Sequence, residues 1–242
     1  MKVKSESEKA LVYLESHSAG SRIIKKVGPC ITVSRQSGSG SGIIDEILKD
    51  ILQQNQSEEF GDWAIFDKNI IEKILEDHQL PERLGKLFRE GKKSSIILMM
   101  NELLGLQPST YTLLHKTTQT ILQLAQMGNV IIVGRAATII TAKLSNAFHI
   151  RLVAPMEDRI KRIMDYYHLG RKEAMEKIRI DDNSRAEYMR DNFHKNIDDP
   201  LLYHMVVNTH LINYEEAAKV VASAVIQKFP QMFFKREEIH AI

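Results

Sequence analysis

CITVSRQSGSGSG, residues Cys30–Gly42, decides the fold. A β-branched run passes into a loop in which Gly38, Gly40 and Gly42 alternate with Ser37, Ser39 and Ser41, and the amphipathic pattern of Ile43–Leu52 follows at once. Strand, glycine loop and helix in that order converge backbone N–H groups on one point, because glycine accepts positive φ at little cost. The helix dipole adds positive potential at the same end. Such a loop suits an anionic phosphate, and the serines between the glycines are expected to add hydroxyl donors.

Outward from this loop, short β-rich runs alternate with helical patterns. Strands are expected at Cys30–Ser34, Ala64–Phe66, Val130–Val133, Phe148–Val153 and Met205–Val207. Helices are expected at about Ile43–Gln53, Lys68–His78, Tyr111–Met127, Met156–Tyr167 and Tyr214–Phe229. Alternation of this kind gives an α/β fold with a parallel sheet covered on both faces, because right-handed crossovers need a helix between parallel strands. Ligands in such sheets bind at the carboxyl ends of the strands. That directs attention to Arg35–Gly42, Asp67 and Gly134–Arg135.

Three regions fall outside the alternation. Residues 1–28 read as a polar arm with one amphipathic stretch, Ala10–Leu14. Residues 81–106 read as a helical, partly basic insert between the second and third strands, and 230–242 as a tail without a clear core role. The domain proper is therefore 29–229. The formal charge of +2 does not suggest a nucleic-acid binder that works by nonspecific phosphate contacts. A single cysteine, Cys30, sits in an apolar strand and suits a reducing compartment. The charged N-terminus lacks the apolar core of a secretory signal, and no uninterrupted apolar run reaches ~18 residues. The expectation is a cytoplasmic protein without a membrane span, with homo-oligomer formation left open. Nine histidines show neither H-x-x-x-H nor cysteine spacing, so no metal site is expected from the protein itself.

A full phosphate loop reads G-x-x-x-x-G-K-[ST]. With Gly40 as its second glycine, Arg35 stands at the first glycine, Ser41 at the lysine and Gly42 at the hydroxyl residue. The backbone cradle is kept and the lysine charge is lost; Arg35 is the candidate substitute cation, from the other end of the loop. A dinucleotide fingerprint G-x-G-x-x-G fails at Ile43, and Asp67 opens a helix where a ribose partner would be needed. The nicotinamide reading falls with it. In NVIIVGRAAT, Arg135 ends a central strand with a fork suited to two phosphate oxygens, and Gly134 is read as allowing close approach of a ligand. Arg179, Asp182 and Arg185 recur every three residues, which puts them near one helix face with the aspartate between two arginines. Arg159 and Arg162 fit a solvated face as well as a base-stacking role and are left outside the site.

Taken in order, ITVSRQSGSGSG, FDKNII, VIIVGRAAT, HIRLVAPMEDRIKRIM, DDNSR and DDPLLYHMVVNT resemble the cytidylate-kinase-like branch of the P-loop nucleoside monophosphate kinases, over roughly 29–229. The resemblance implies a three-layer P-loop fold with a five-stranded parallel sheet, a helical monophosphate-binding insert and a lid at about 171–195. It implies transfer of the ATP γ-phosphoryl group to CMP or dCMP, with Mg²⁺ held mainly through the nucleotide. Position by position, Gly38, Ser39, Gly40, Ser41 and Gly42 match the donor phosphate loop, flanked by Arg35 and Ser37. Arg135 matches the arginine that grips the acceptor phosphate. Arg185 matches a lid arginine with Asp182 beside it; Arg179 and Asp67 complete the expected site. The chain departs from the family pattern at Ser41, where active relatives have lysine. It departs again at Val133 and Ala136, where they have aspartates, and at Asn183, where the lid often has a second basic residue. Members of the looser branch usually place a basic residue near position 42, which here is Gly42. These departures set a second expectation beside the first: a catalytically weak relative that binds nucleotide as a sensor or assembly module.

Overall fold

The computed structural model describes residues 12–13, 27–57, 59–69, 71 and 113–234. The expected insert at 81–106, most of the 68–78 helix, most of the N-terminal arm and the end of the tail lie outside the described residues.

Among the described residues, runs of β-branched and apolar residues form five strands: β1 Cys30–Arg35, β2 Ala64–Phe66, β3 Val130–Val133, β4 Ala147–Val153 and β5 Met205–Asn208. They pair in the order β2-β3-β1-β4-β5, every pair parallel. Ile31 pairs with Ile131 and with Phe148, so the apolar runs align across the centre. Strands buried on both faces read as continuous hydrophobic runs, and Val130–Val133 is buried throughout.

Among the described residues the helices are α1 Ser41–Asn55, α2 Leu113–Met127, α3 Ala137–Ile140, α4 Met156–Tyr167, α5 Arg171–Phe193 and α6 Tyr214–Lys228. Local sequence explains several starts. Asn213 and Glu216 close a capping box on α6, and Glu157 with Asp158 places negative charge in the first turn of α4. One face of the sheet packs on α1 and α6, through Leu48, Leu52, Ala218 and Val221. The other packs on α2, α3 and the end of α5, through Ile121, Leu124, Ile140 and Phe193. This is the three-layer arrangement anticipated from the alternation. A short helix, α3, was not anticipated, because four residues are too few to show a period.

Both ends of the domain extend further than the sequence suggested. Tyr13 of the arm is buried, donates its hydroxyl to Gly128 O at 2.5 Å and packs edge-on against Phe66 at 5.4 Å between centroids. At the other end, Pro230–Met232 forms a 3₁₀ turn whose Met232 is buried in the core, and Ser57 N–H donates to Met232 O. Residues 230–234 therefore belong to the packed unit and correct the boundary drawn at 229.

Candidate functional site

α1 begins without a capping side chain. Its N-cap is Gly40, at φ 89°, and no acidic residue stands in its first turn. Gly40 needs that conformation and also needs to lack a Cβ, because one built there would meet the Tyr214 ring at 2.4 Å. Around this turn, the N–H groups of Gly38, Gly40, Ser41 and Gly42 have no hydrogen-bond partner among the described residues. Open N–H groups at a helix start are the ones a ligand satisfies.

Three loop carbonyls are held from behind. Arg159 donates to Ser37 O at 3.3 Å and Arg162 donates to Gly38 O at 3.3 Å. The Thr209 hydroxyl donates to Ser39 O at 2.9 Å. Arg162 also donates to Thr209 O at 2.8 Å and lies over the Tyr214 ring at 5.1 Å. With their carbonyls engaged, loop residues are free to turn their N–H groups toward the cleft. The sequence reading left Arg159 and Arg162 outside the site, with a solvated face and a base-stacking role equally open. Arg159 is in fact only 5% exposed, so both are corrected to residues that support the loop. Their spacing of three on a helix directly after β4 was the available signal.

The serines do not behave as expected. Ser37 gives its N–H to Asp182 Oδ1 at 2.7 Å and its hydroxyl to Asp181 Oδ2 at 2.9 Å. Ser39 donates to Gln36 O at 2.8 Å, and Ser41 donates to Asp45 Oδ2 at 2.5 Å. All three hydroxyls are committed within the protein, leaving backbone N–H groups as the cradle's open donors. Asp45 is 2% exposed; burial pushes its carboxyl up to about 7, with the Ser41 hydrogen bond and Arg35 pulling it back. Neither Asp45 nor Asp181 was singled out as a site residue in the sequence reading.

The loop opens on a cleft of about 1170 Å³ lined also by Asp67, Asp181 and Arg185. A smaller cavity of about 180 Å³ is lined by Arg135, Lys68, Ser34 and Tyr203. Arg35, Asp181 and Arg185 line both, so the two spaces meet at these side chains. Arg35 makes no hydrogen bond or ion pair to any described residue. Burial lowers its pKa to about 10, helped by Arg185 and opposed by Asp45, Asp67 and Asp181. Its guanidinium fills the space where a Gly134 Cβ would be, at 2.0 Å from that point. The missing side chain at Gly134 thus admits Arg35, which corrects its reading as a place for ligand approach.

Arg135 and Ala136 follow Gly134 with φ 53° and 55°, a run of left-handed residues at the end of β3. The Arg135 guanidinium lies 5.8 Å from the Tyr188 ring centroid on α5. On the same helix Asp182 pairs with Arg159 of α4 at 2.5 Å and with Arg185 of α5 at 3.1 Å, and the N–H it accepts from Ser37 fastens α5 to the loop. Arg179 is not brought to this place. It is exposed and pairs with Glu176 at 2.6 Å. At 3.6 residues per turn, a spacing of three drifts, and Arg179 and Arg185 end roughly a third of a turn apart. Among the described residues no group of three or more His, Cys, Asp or Glu could hold a metal ion, and no helix is long and apolar enough to cross a membrane.

Comparison with known proteins adds to this geometry. The model of the cytidylate kinase-like family matches residues 30–211. The crystal structure of an uncharacterized protein from Eubacterium ventriosum is similar with a TM-score of 0.63 at 17% identity, covering 82% of this chain and 98% of that one. Shikimate kinase from Acinetobacter baumannii aligns at 14% identity with a TM-score of 0.39, over 83% of this chain and 94% of that chain. A curated relative, uronate isomerase of Corynebacterium glutamicum, is 26% identical over 116 residues. That match takes in 48% of this chain and only 22% of the relative, so the chain spans about a fifth of its length.

Proposed function

The chain belongs to the cytidylate kinase-like family, and from that premise we propose that it binds ATP at the phosphate loop and transfers the γ-phosphoryl group to a nucleoside monophosphate, CMP or dCMP. The observation that carries this reading is Arg35: a cation with no hydrogen bond or ion pair to a described residue, lining both cavities at their junction. A guanidinium left in that state is stabilised by an anion, and the phosphoryl group in transit is the anion such a place suits.

In this reading the N–H groups of Gly38, Gly40, Ser41 and Gly42 hold the donor phosphates. Arg35 takes over the charge that a lysine at position 41 would provide. Arg135 grips the acceptor phosphate, Arg185 closes over the transferring group, and Asp67 and Asp182 orient the acceptor and the lid. An acceptor phosphate oxygen forms the new P–O bond as the bond to the β–γ bridging oxygen breaks, and ADP leaves with that electron pair. The acceptor is already an anion at neutral pH, so no general base is required; positioning and charge supply the acceleration. Mg²⁺, when bound with the donor, neutralises charge on the phosphates.

One observation favours the second reading, a nucleotide-binding sensor or assembly module. Ser41, at the lysine position, gives its hydroxyl to Asp45 and brings no cation to the loop. Coupled detection of ADP release over a panel of monophosphates, run beside calorimetric titration of ATP, separates the two. Acceptor-dependent ADP release supports the kinase; ATP binding without it supports the module. Under the kinase reading Arg135→Ala weakens acceptor binding more than ATP binding, and equal losses would refute that role.

A further inference from the structure

The cleft around the phosphate loop carries more negative than positive charge. Six of its lining residues are aspartate or glutamate and four are lysine or arginine. A polyphosphate tail arriving alone would meet net repulsion there. A lysine at position 41 would add one positive charge; the chain has none there, and Asp45, one turn further on, is acidic. A divalent cation would supply the missing positive charge.

Asp45 is built to receive one. Its carboxylate lies in the cleft wall and is 2% exposed. Oδ2 accepts the Ser41 hydroxyl, while Oδ1 is buried with no donor among the described residues. A buried carboxylate oxygen without a donor is costly to keep, and a fold that keeps one beside a ligand cleft leaves a vacant coordination partner. Arg35 approaches from β1 without a hydrogen bond to this oxygen, and Glu46 adds further negative charge from the same helix. Carboxylate and hydroxyl oxygens are hard donors. Magnesium typically takes one or two carboxylates and completes its shell from phosphate and water. Because the described residues offer no three-ligand cluster, binding should need the nucleotide phosphates as co-ligands.

Resting on the reading of this cleft as a nucleotide site, we propose that Asp45, with the Ser41 hydroxyl, is a protein ligand for the divalent cation that accompanies the nucleotide. The cation is then held by the protein as well as by the phosphates, and it does part of the work of the absent lysine.

ADP titrated calorimetrically into the wild-type chain and into Asp45→Asn, each in Mg²⁺ and in EDTA, tests this. Electron paramagnetic resonance of Mn²⁺ with ADP serves as a second readout. In the wild type Mg²⁺ should tighten ADP binding by about tenfold or more, and Asp45→Asn should abolish that gain while binding ADP in EDTA at least as well as wild type. The Mn²⁺ spectrum of the ternary complex should change between the two proteins, and Mn²⁺ without ADP should not bind. Ser41→Lys covers the case in which Asp45→Asn does not fold: a lysine there should tighten ADP binding in EDTA and remove the Mg²⁺ gain. Equal ADP affinity in Mg²⁺ and EDTA, or a gain that survives in Asp45→Asn, would overturn the metal site and leave the nucleotide reading standing. Failure of the wild type to bind ADP under either condition would overturn both.

Discussion

Replacing Arg35 by methionine should make the protein more stable and a poorer nucleotide binder at once. The side chain sits in a narrow place with no hydrogen bond or ion pair to a described residue, and its pKa falls from 12.5 to about 10. At about 1.4 kcal/mol for each tenfold change, that drop means the folded chain disfavours the charge by roughly 3 kcal/mol. The sign is fixed by the two states. Below pH 10 Arg35 is charged in both, so the full cost is present throughout the neutral range and fades only as pH rises above 10. Methionine keeps much of the length and removes the charge, but Asp45 then loses a nearby cation, so the expected net gain is about 1–2 kcal/mol. For a chain of this size that is a rise in Tm of about 2–8 °C, measured by calorimetry or circular dichroism. Loss of a charged hydrogen bond to phosphate costs about 1.5–3 kcal/mol, so affinity for ATP should fall roughly tenfold to 150-fold in the same variant. A fall in Tm together with unchanged ATP affinity would refute the reasoning, because Arg35 would then be a structural residue.

Four further outcomes concern other parts of the molecule. His149 is buried against the Thr32 hydroxyl at 2.8 Å, and burial, with His204 and Lys228 nearby, lowers its pKa from 6.5 to about 4. Its stabilising neutral state is complete above pH 6.5 and is lost as pH falls toward 4, at a cost of about 3 kcal/mol; denaturant titrations against pH should show this limb in wild type and not in His149→Gln. Ala136→Gly should stabilise the chain by about 1 kcal/mol, since it removes the strain of a left-handed alanine, and an unchanged or lowered denaturation midpoint would contradict that. Asp182→Asn leaves the buried Arg159 charge without its carboxylate and should cost about 3 kcal/mol of stability, whereas Arg179→Ala, at an exposed pair, should change neither stability nor ATP affinity.

Much of the architecture was legible because its signals are local and periodic. The strands at Ala64–Phe66 and Val130–Val133 and the helix at Met156–Tyr167 have the bounds their hydrophobic patterns suggest. The strand–glycine loop–helix unit was legible because its alternating glycines lie between a β-branched run and an amphipathic one. What was not legible depends on contacts between distant segments. Asp181 and Asp182 reach Ser37 across more than 140 residues, and no spacing rule announces that an α5 carboxylate will take a loop N–H. Gly134 invited a ligand-based reading, while the group it accommodates comes from another strand. Arg179 misled for the opposite reason: a three-residue repeat looks like a face over one step and drifts off it over two.

We propose that backbone N–H groups at the start of α1 hold a polyphosphate. ATP titrated into protein labelled with ¹⁵N-glycine should give saturable shifts of the Gly38, Gly40 and Gly42 amide resonances, lost or much weakened in Arg35→Met. Saturable shifts confined to glycines elsewhere in the chain, with these three unmoved, would contradict it.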